Sequence, residues 1–225
     1  MACSSRLLAI ISALMLALPG IGGVESLPDE EALQYLVRKN NLAEVKEWLK
    51  KHGTEKASYE QLVDSFFLAL DKGHFEIIEA MLTSRPGLAN EHHSAGTAIT
   101  AAAANKDNRI LPTVLARGGD PLWQDGDGYS PIVYAALMGN LDGVKLLIKK
   151  GAKVTHRTKD GSTLLIQISQ MPDVSVARLQ VASFLIAEKV DVNAQNQNGE
   201  TALFWARKLK NETLALILQR AGATR

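Results

Sequence analysis

A spacing of 33 residues governs this chain. Gly128 opens "GYSPI" and Gly161 opens "GSTLL", 33 positions later, and Gly118-Gly119 and Gly151-Ala152 close two segments at the same interval. Gly139-Asn140 lies 66 residues, twice 33, beyond Gly73-His74, and Asn40-Asn41 lies 33 before that pair. Gly199 follows Gly161 by 38, so five extra residues are expected, at Met171 to Ser175. Gly199 to Gly222 spans 23 residues, as does Gly128 to Gly151, so the register survives the insertion. A unit of this length holds two short amphipathic helices that cannot bury their apolar faces alone. Copies must therefore stack, each on its neighbour.

The residues at fixed places in the unit have local reasons. Ser130 can accept a hydrogen bond from the open amides of a helix start, and Pro131 fits the first helical position. Thr163 and Thr201 can cap in the same way, with Leu164 and Ala202 in place of the proline. Gly139 allows a helix to end in a left-handed turn. Ala135 and Ala136 let neighbouring helices approach closely, and Val144, Leu147 and Ile148 form the apolar stripe of a second helix. Pro112 fits only if its helix begins near Ile110 or Leu111.

The pattern G-x-[ST]-P-[LI], an Ala pair, G-[HN], an apolar pair and G-A-[DN] resembles the ankyrin repeat. The opening copy, Asp127 to Lys153, carries it best. "GSTLLIQISQ…FLIAEKVDVN" keeps Asp191-Val192-Asn193 but has Lys189-Val190 where Gly-Ala is usual. The resemblance covers nearly all of Leu27 to Arg225. It implies an all-α, ankyrin-type α-solenoid of about six helix-turn-helix repeats with short β-hairpin loops. The expected units are about 27–57, 58–94, 95–127, 128–160, 161–198 and 199–225. The histidine that many such repeats carry after T-P-L is missing: Thr100, Val133, Ile166 and Phe204 stand there. Apolar packing is then expected to hold the copies together.

The resemblance also implies where a protein partner docks, namely on hairpin tips and on the concave face of the first helices. In the central copy those positions map to Asp127, Tyr129, Leu137 and Met138, and in the next to Lys159, Asp160, Ser162, Gln170 and Met171. Trp123 precedes the central hairpin. Trp123, Tyr129, Leu137 and Met138 would make one apolar patch, either an interaction site or ordinary packing between copies. Trp205, Trp48 and Phe66-Phe67 read as core.

No constellation of residues points to catalysis. His92-His93 reads as a polar loop, and "DGDG" at Asp125 to Gly128 lacks the glutamate of a calcium loop, so it reads as a hairpin tip. No nucleophile elbow, zinc motif or phosphate loop occurs. The expected protein is not an enzyme and uses no cofactor or metal. Lys+Arg 25 against Asp+Glu 24 leaves a net charge of +1, which gives no general attraction to nucleic acid. The run Lys145, Lys149, Lys150, Lys153, Arg157 and Lys159 reads as a solvated outer face. Asn211-Glu212-Thr213 is a glycosylation sequon within an expected helix.

The first 26 residues differ from the rest. One arginine, then Leu7 to Leu18, then Pro19, Gly20, Gly22 and Gly23 follow the three-part pattern of a secretory signal peptide. The apolar run is short for a membrane span, which needs about 20 residues. Cleavage after Gly23 or Ser26 would remove Cys3, the single cysteine, leaving a chain without thiols. The expected protein is thus a periplasmic or secreted monomer that binds a protein. It would act as an inhibitor, immunity or protective factor; a secreted effector and an envelope scaffold are the alternatives.

Overall fold

The computed structural model describes residues 29–52, 58–93 and 96–224. The expected signal peptide lies outside the described residues. Six helix pairs follow one another: α1 (Asp29–Arg38) with α2 (Leu42–His52), α3 (Tyr59–Lys72) with α4 (Phe75–Ser84), α5 (Ala98–Ala104) with α6 (Ile110–Ala116). Then come α7 (Pro131–Met138) with α8 (Leu141–Lys149), α9 (Leu164–Ser169) with α10 (Val176–Ala187), and α11 (Ala202–Lys208) with α12 (Glu212–Arg220). The all-α solenoid is the observed fold. First helices stack as one layer, α1 on α3, α3 on α5, and so on to α11, and each second helix packs behind its own first helix.

Short strands β1 (His92–His93) and β2 (Gly96–Thr97) pair antiparallel, His92 with Thr97 and His93 with Gly96. His92-His93 is therefore a paired strand rather than a free polar loop. The other connections of this kind are turns closed by side chains, with one isolated bridge between Arg157 and Thr163. Asp125 shows how they close. Its carboxylate Oδ1 accepts from the amides of Asp127 at 2.9 Å and Tyr129 at 2.8 Å. Asn196 does the same for Asn198 and Glu200, both at 3.0 Å.

The caps follow the sequence in three copies and depart from it in one. Thr97, Thr163 and Thr201 each accept the amide three residues on. Ser130 does not. Its backbone carbonyl takes the Val133 amide at 2.9 Å, and its hydroxyl is buried without a partner. Pro112 is the third residue of α6, where no intrahelical amide bond is lost. Gly139 ends α7 at φ 74°, and a Cβ there would stand 2.8 Å from the Ala177 methyl, so only glycine lets α10 approach. The extra residues fall in the α9–α10 connection.

The core runs unbroken along the stack. Ala102, Ala103, Ala135 and Ala136 are fully buried where helices meet, with Val144 and Leu147 behind them. Hydrogen bonds also tie copy to copy. Asn105 Nδ2 donates to the Leu70 carbonyl at 2.6 Å, and Asn140 Nδ2 to the carbonyls of Ala103 at 3.3 Å and Asn105 at 3.1 Å. At the hairpin side the Lys159 amide donates to the Asp127 carbonyl and the Gln197 amide to the Asp160 carbonyl, both at 2.8 Å. The copies are thus held by polar bridges as well as apolar contact, which corrects the expectation of apolar packing alone.

Candidate interaction surface

The residues expected to meet a partner separate into two regions. Trp123, Asp127, Tyr129, Lys159 and Asp160 lie at the hairpin end. Leu137, Met138, Gln170 and Met171 lie at the opposite ends of α7 and α9. Eight residues of α7 separate the regions, about 12 Å of helix. The single apolar patch is therefore not formed. Trp123 is half-buried and meets His92 edge-on, with ring centroids 5.7 Å apart. Tyr129 faces Tyr134 at 6.1 Å. Met138 is 42% exposed and borders a hollow of about 410 Å³ with Asn105, Asn140, Asp142 and Ala177. Leu137 is half-buried, and its carbonyl accepts from Arg178 Nε.

Ser162 is buried, so it offers a partner no accessible side chain. Its hydroxyl donates to Asp160 Oδ2 at 2.7 Å, while Thr158 donates to Oδ1 at 2.6 Å. Burial would raise the Asp160 carboxyl, but these hydrogen bonds outweigh it and hold it below the usual carboxylate range. Gln170 and Met171 are half-buried, and Asp127 and Lys159 are exposed.

A polar chain that the sequence reading missed links these hairpins. Tyr129 donates its hydroxyl to Gln167 Oε1 at 3.0 Å, and Gln167 Nε2 donates to Thr158 Oγ1 at 3.2 Å. His156 Nε2 meets the Gly128 carbonyl at 2.8 Å, and Tyr134 reaches Asp125 Oδ2 at 3.5 Å. Burial, and then the Asp125 charge, push the Tyr134 phenol up. Gln167 was the available signal, a lone amide inside the apolar run "LLIQIS". A buried amide needs partners. Arg157 also departs from the expected free basic face, because its guanidinium donates to the carbonyls of Gly161 and Gln195 at 2.6 and 2.9 Å.

The widest hollow on the first-helix side lies earlier in the chain than expected. It measures about 580 Å³ between α1, α3 and α5. Phe67, Leu68, Ala101 and Ala104 give it apolar walls, and Arg38, Asp64, Asp71, His93 and Asn105 give it a polar rim. The His93 ring stacks on Phe67 at 4.9 Å, and its Nε2 is 3.4 Å from Asp64. Among the described residues, no group of His, Cys, Asp and Glu is arranged to hold a metal ion. No helix there is long and apolar enough to cross a membrane.

A family model described as "Ankyrin repeats (3 copies)" matches residues 66–158 and 98–195. The chain belongs to the ankyrin repeat family. Ankyrin repeats generally mediate protein–protein interaction and are typically non-enzymatic. Curated relatives share this region at modest identity. The Caenorhabditis elegans protein "Intracellular phospholipase A2" is 27% identical over 168 residues, 72% of this chain and 16% of that protein. The rat "Ankyrin repeat and SAM domain-containing protein 6" is 28% identical over 128 residues, 55% of this chain and 14% of the relative. The human "Neurogenic locus notch homolog protein 2" is 33% identical over 117 residues, 50% of this chain and 4% of the relative. The chain thus corresponds to a small part of each of these larger proteins.

Proposed function

We propose that this ankyrin array is an exported, non-enzymatic binding module that holds a protein partner along its first-helix face. The observation that carries this reading is the hollow between α1, α3 and α5, an apolar floor bordered by charged side chains of both signs. Such a floor suits an apolar anchor residue, and such a rim suits the polar contacts that set orientation. Within the reading, the module is an inhibitor, immunity or protective factor acting on a periplasmic protein. Export rests on the leader pattern of residues 1–26. The larger relatives' activities are not carried over, because the shared region is the repeat array.

Photo-crosslinking in the source cell tests the binding mode. A crosslinker at position 68 or 104, on the hollow, gives a discrete protein adduct, and one at Lys149 on the outer helix does not. Adducts from Lys149 alone would overturn the groove reading. Mass spectrometry of the mature protein separately tests export, with a new N-terminus expected between roughly residues 21 and 28. An intact N-terminus on protein retained in the cytoplasm would refute it.

A further inference from the structure

The sixth copy presents an apolar face that its counterparts do not. Positions 71 apart are equivalent in the fourth and sixth copies, since 33 plus 38 is 71. Val133 and Ile166, which each have a copy stacked beyond them, are fully buried, whereas Phe204 at the same place is 42% exposed. Leu216, 48% exposed, replaces Lys145, whose Nζ lies 5.5 Å from the Phe184 ring of the following copy. Both positions therefore face the direction in which the stack would continue. Trp205 lies edge-on to Phe204 at 5.7 Å, and Lys208 Nζ lies 4.2 Å from the Trp205 ring centre and 5.3 Å from that of Phe204.

Terminal copies of a solenoid ordinarily turn a polar face outward. Arg207 fits that rule, standing where Ala136 and Ser169 are buried in earlier copies. Phe204 and Leu216 break it. The result is an apolar centre among cations. From Ala202 to Arg220 the charges are Arg207, Lys208, Lys210 and Arg220 against Glu212 alone. Two copies joined through this face would oppose like charges. Head-to-tail stacking also lacks a counterpart, because no exposed large apolar residue lies in α1 or α2 among the described residues.

We propose that the α11–α12 end face docks a helix of a partner protein that is apolar along one side and bordered by Asp and Glu. This surface is separate from the α1–α3–α5 hollow, and either can fail alone. The test uses the full chain and two synthetic amphipathic peptides with the same leucine face, one bordered by glutamate and one by lysine. Fluorescence anisotropy is expected to show binding of the glutamate peptide, weakened by salt, with the lysine peptide at least tenfold weaker. The double variant Phe204→Ser, Lys208→Glu should lose at least tenfold in affinity. Circular dichroism should show its helicity and melting close to the parent, as expected for exposed side chains. Lys149→Glu, elsewhere on the surface, should bind as the parent does. Absence of binding, equal binding of both peptides, or full affinity in the double variant would overturn the proposal. So would a concentration-dependent dimer in sedimentation that Phe204→Ser abolishes, because that assigns the face to a second copy.

Discussion

Replacing Gln167 by Leu probes whether the polar chain across the hairpins binds the fourth and fifth copies together. Gln167 is 4% exposed, accepts from Tyr129 at 3.0 Å and donates to Thr158 at 3.2 Å. Leucine removes both bonds. Neither partner is stranded: the Thr158 hydroxyl keeps Asp160 Oδ1 at 2.6 Å, and the half-buried Tyr129 can turn its hydroxyl to water. The loss is then the net value of two neutral hydrogen bonds, about 0.5–1.5 kcal/mol each. Better burial of leucine offsets part of this, so Gln167→Leu should destabilise by about 1–2 kcal/mol. Tyr129→Phe removes one of the two bonds and should cost about 1 kcal/mol by itself. In the Gln167→Leu background it should cost almost nothing. The coupling between the two substitutions is then of order 1 kcal/mol, well above the ~0.3–0.5 kcal/mol scatter of independent sites. Thermal melting would register Gln167→Leu as roughly 2–8 °C, at 2–4 °C per kcal/mol for a chain of this size. Urea unfolding of the parent, the two single variants and the double variant measures the cycle. Additive losses would refute the bridge, whatever their size.

The two kinds of helix start should respond differently. Thr163→Ala loses a cap worth about 1 kcal/mol, whereas Ser130→Ala removes a buried hydroxyl without a partner and should be neutral or stabilising; equal losses in urea midpoints would contradict this. Lys210 holds φ 57° where the fourth copy has Gly139, so Lys210→Gly should relieve a left-handed side-chain conformation and stabilise by up to about 1 kcal/mol. A lower melting temperature would count against it. For Asp160, a carboxyl held below its ordinary value stabilises the fold above the unfolded pKa of about 3.9 and loses that contribution as pH falls through its folded value. Parent and Asp160→Asn should therefore differ in urea midpoint at neutral pH and converge on acidification below about pH 3.9. A gap that widens on acidification would refute the assignment.

The fold was legible because its signals are local and repeated. A left-handed helix end at Gly139, threonine caps at positions 163 and 201, and a proline limited to the start of α6 each follow from backbone chemistry within a few residues. Recurrence at 33 residues then made stacking the consequence. Even so, equivalent residues did not always act alike. Ser130 and Thr163 occupy one column, yet only Thr163 caps, because the amide that Ser130 would satisfy is taken by its own backbone carbonyl. Column and residue type together do not determine which of two nearby acceptors an amide uses.

The interaction surface was less legible because side-chain exposure in a stack depends on residues a copy away. Tyr129 looked like an exposed anchor and proved to be tied to Gln167, 38 positions on. Ser162 shared the hairpin tip with Asp160 but turned inward, where Asp160 accepts its hydroxyl. Trp205 errs in the opposite direction. Its column is filled by Gln167, buried, in the fifth copy and by Tyr134, half-buried, in the fourth, so core was the natural expectation. The structure leaves Trp205 half-buried beneath Lys208, beside an exposed Phe204. Both errors have one cause: helix propensity and capping reside within a copy, whereas burial belongs to the pair of copies that share an interface. A periodic sequence therefore specifies its scaffold many times over and its surface only once. The informative positions for partner binding are those where a column breaks its own rule, as Phe204 and Leu216 do.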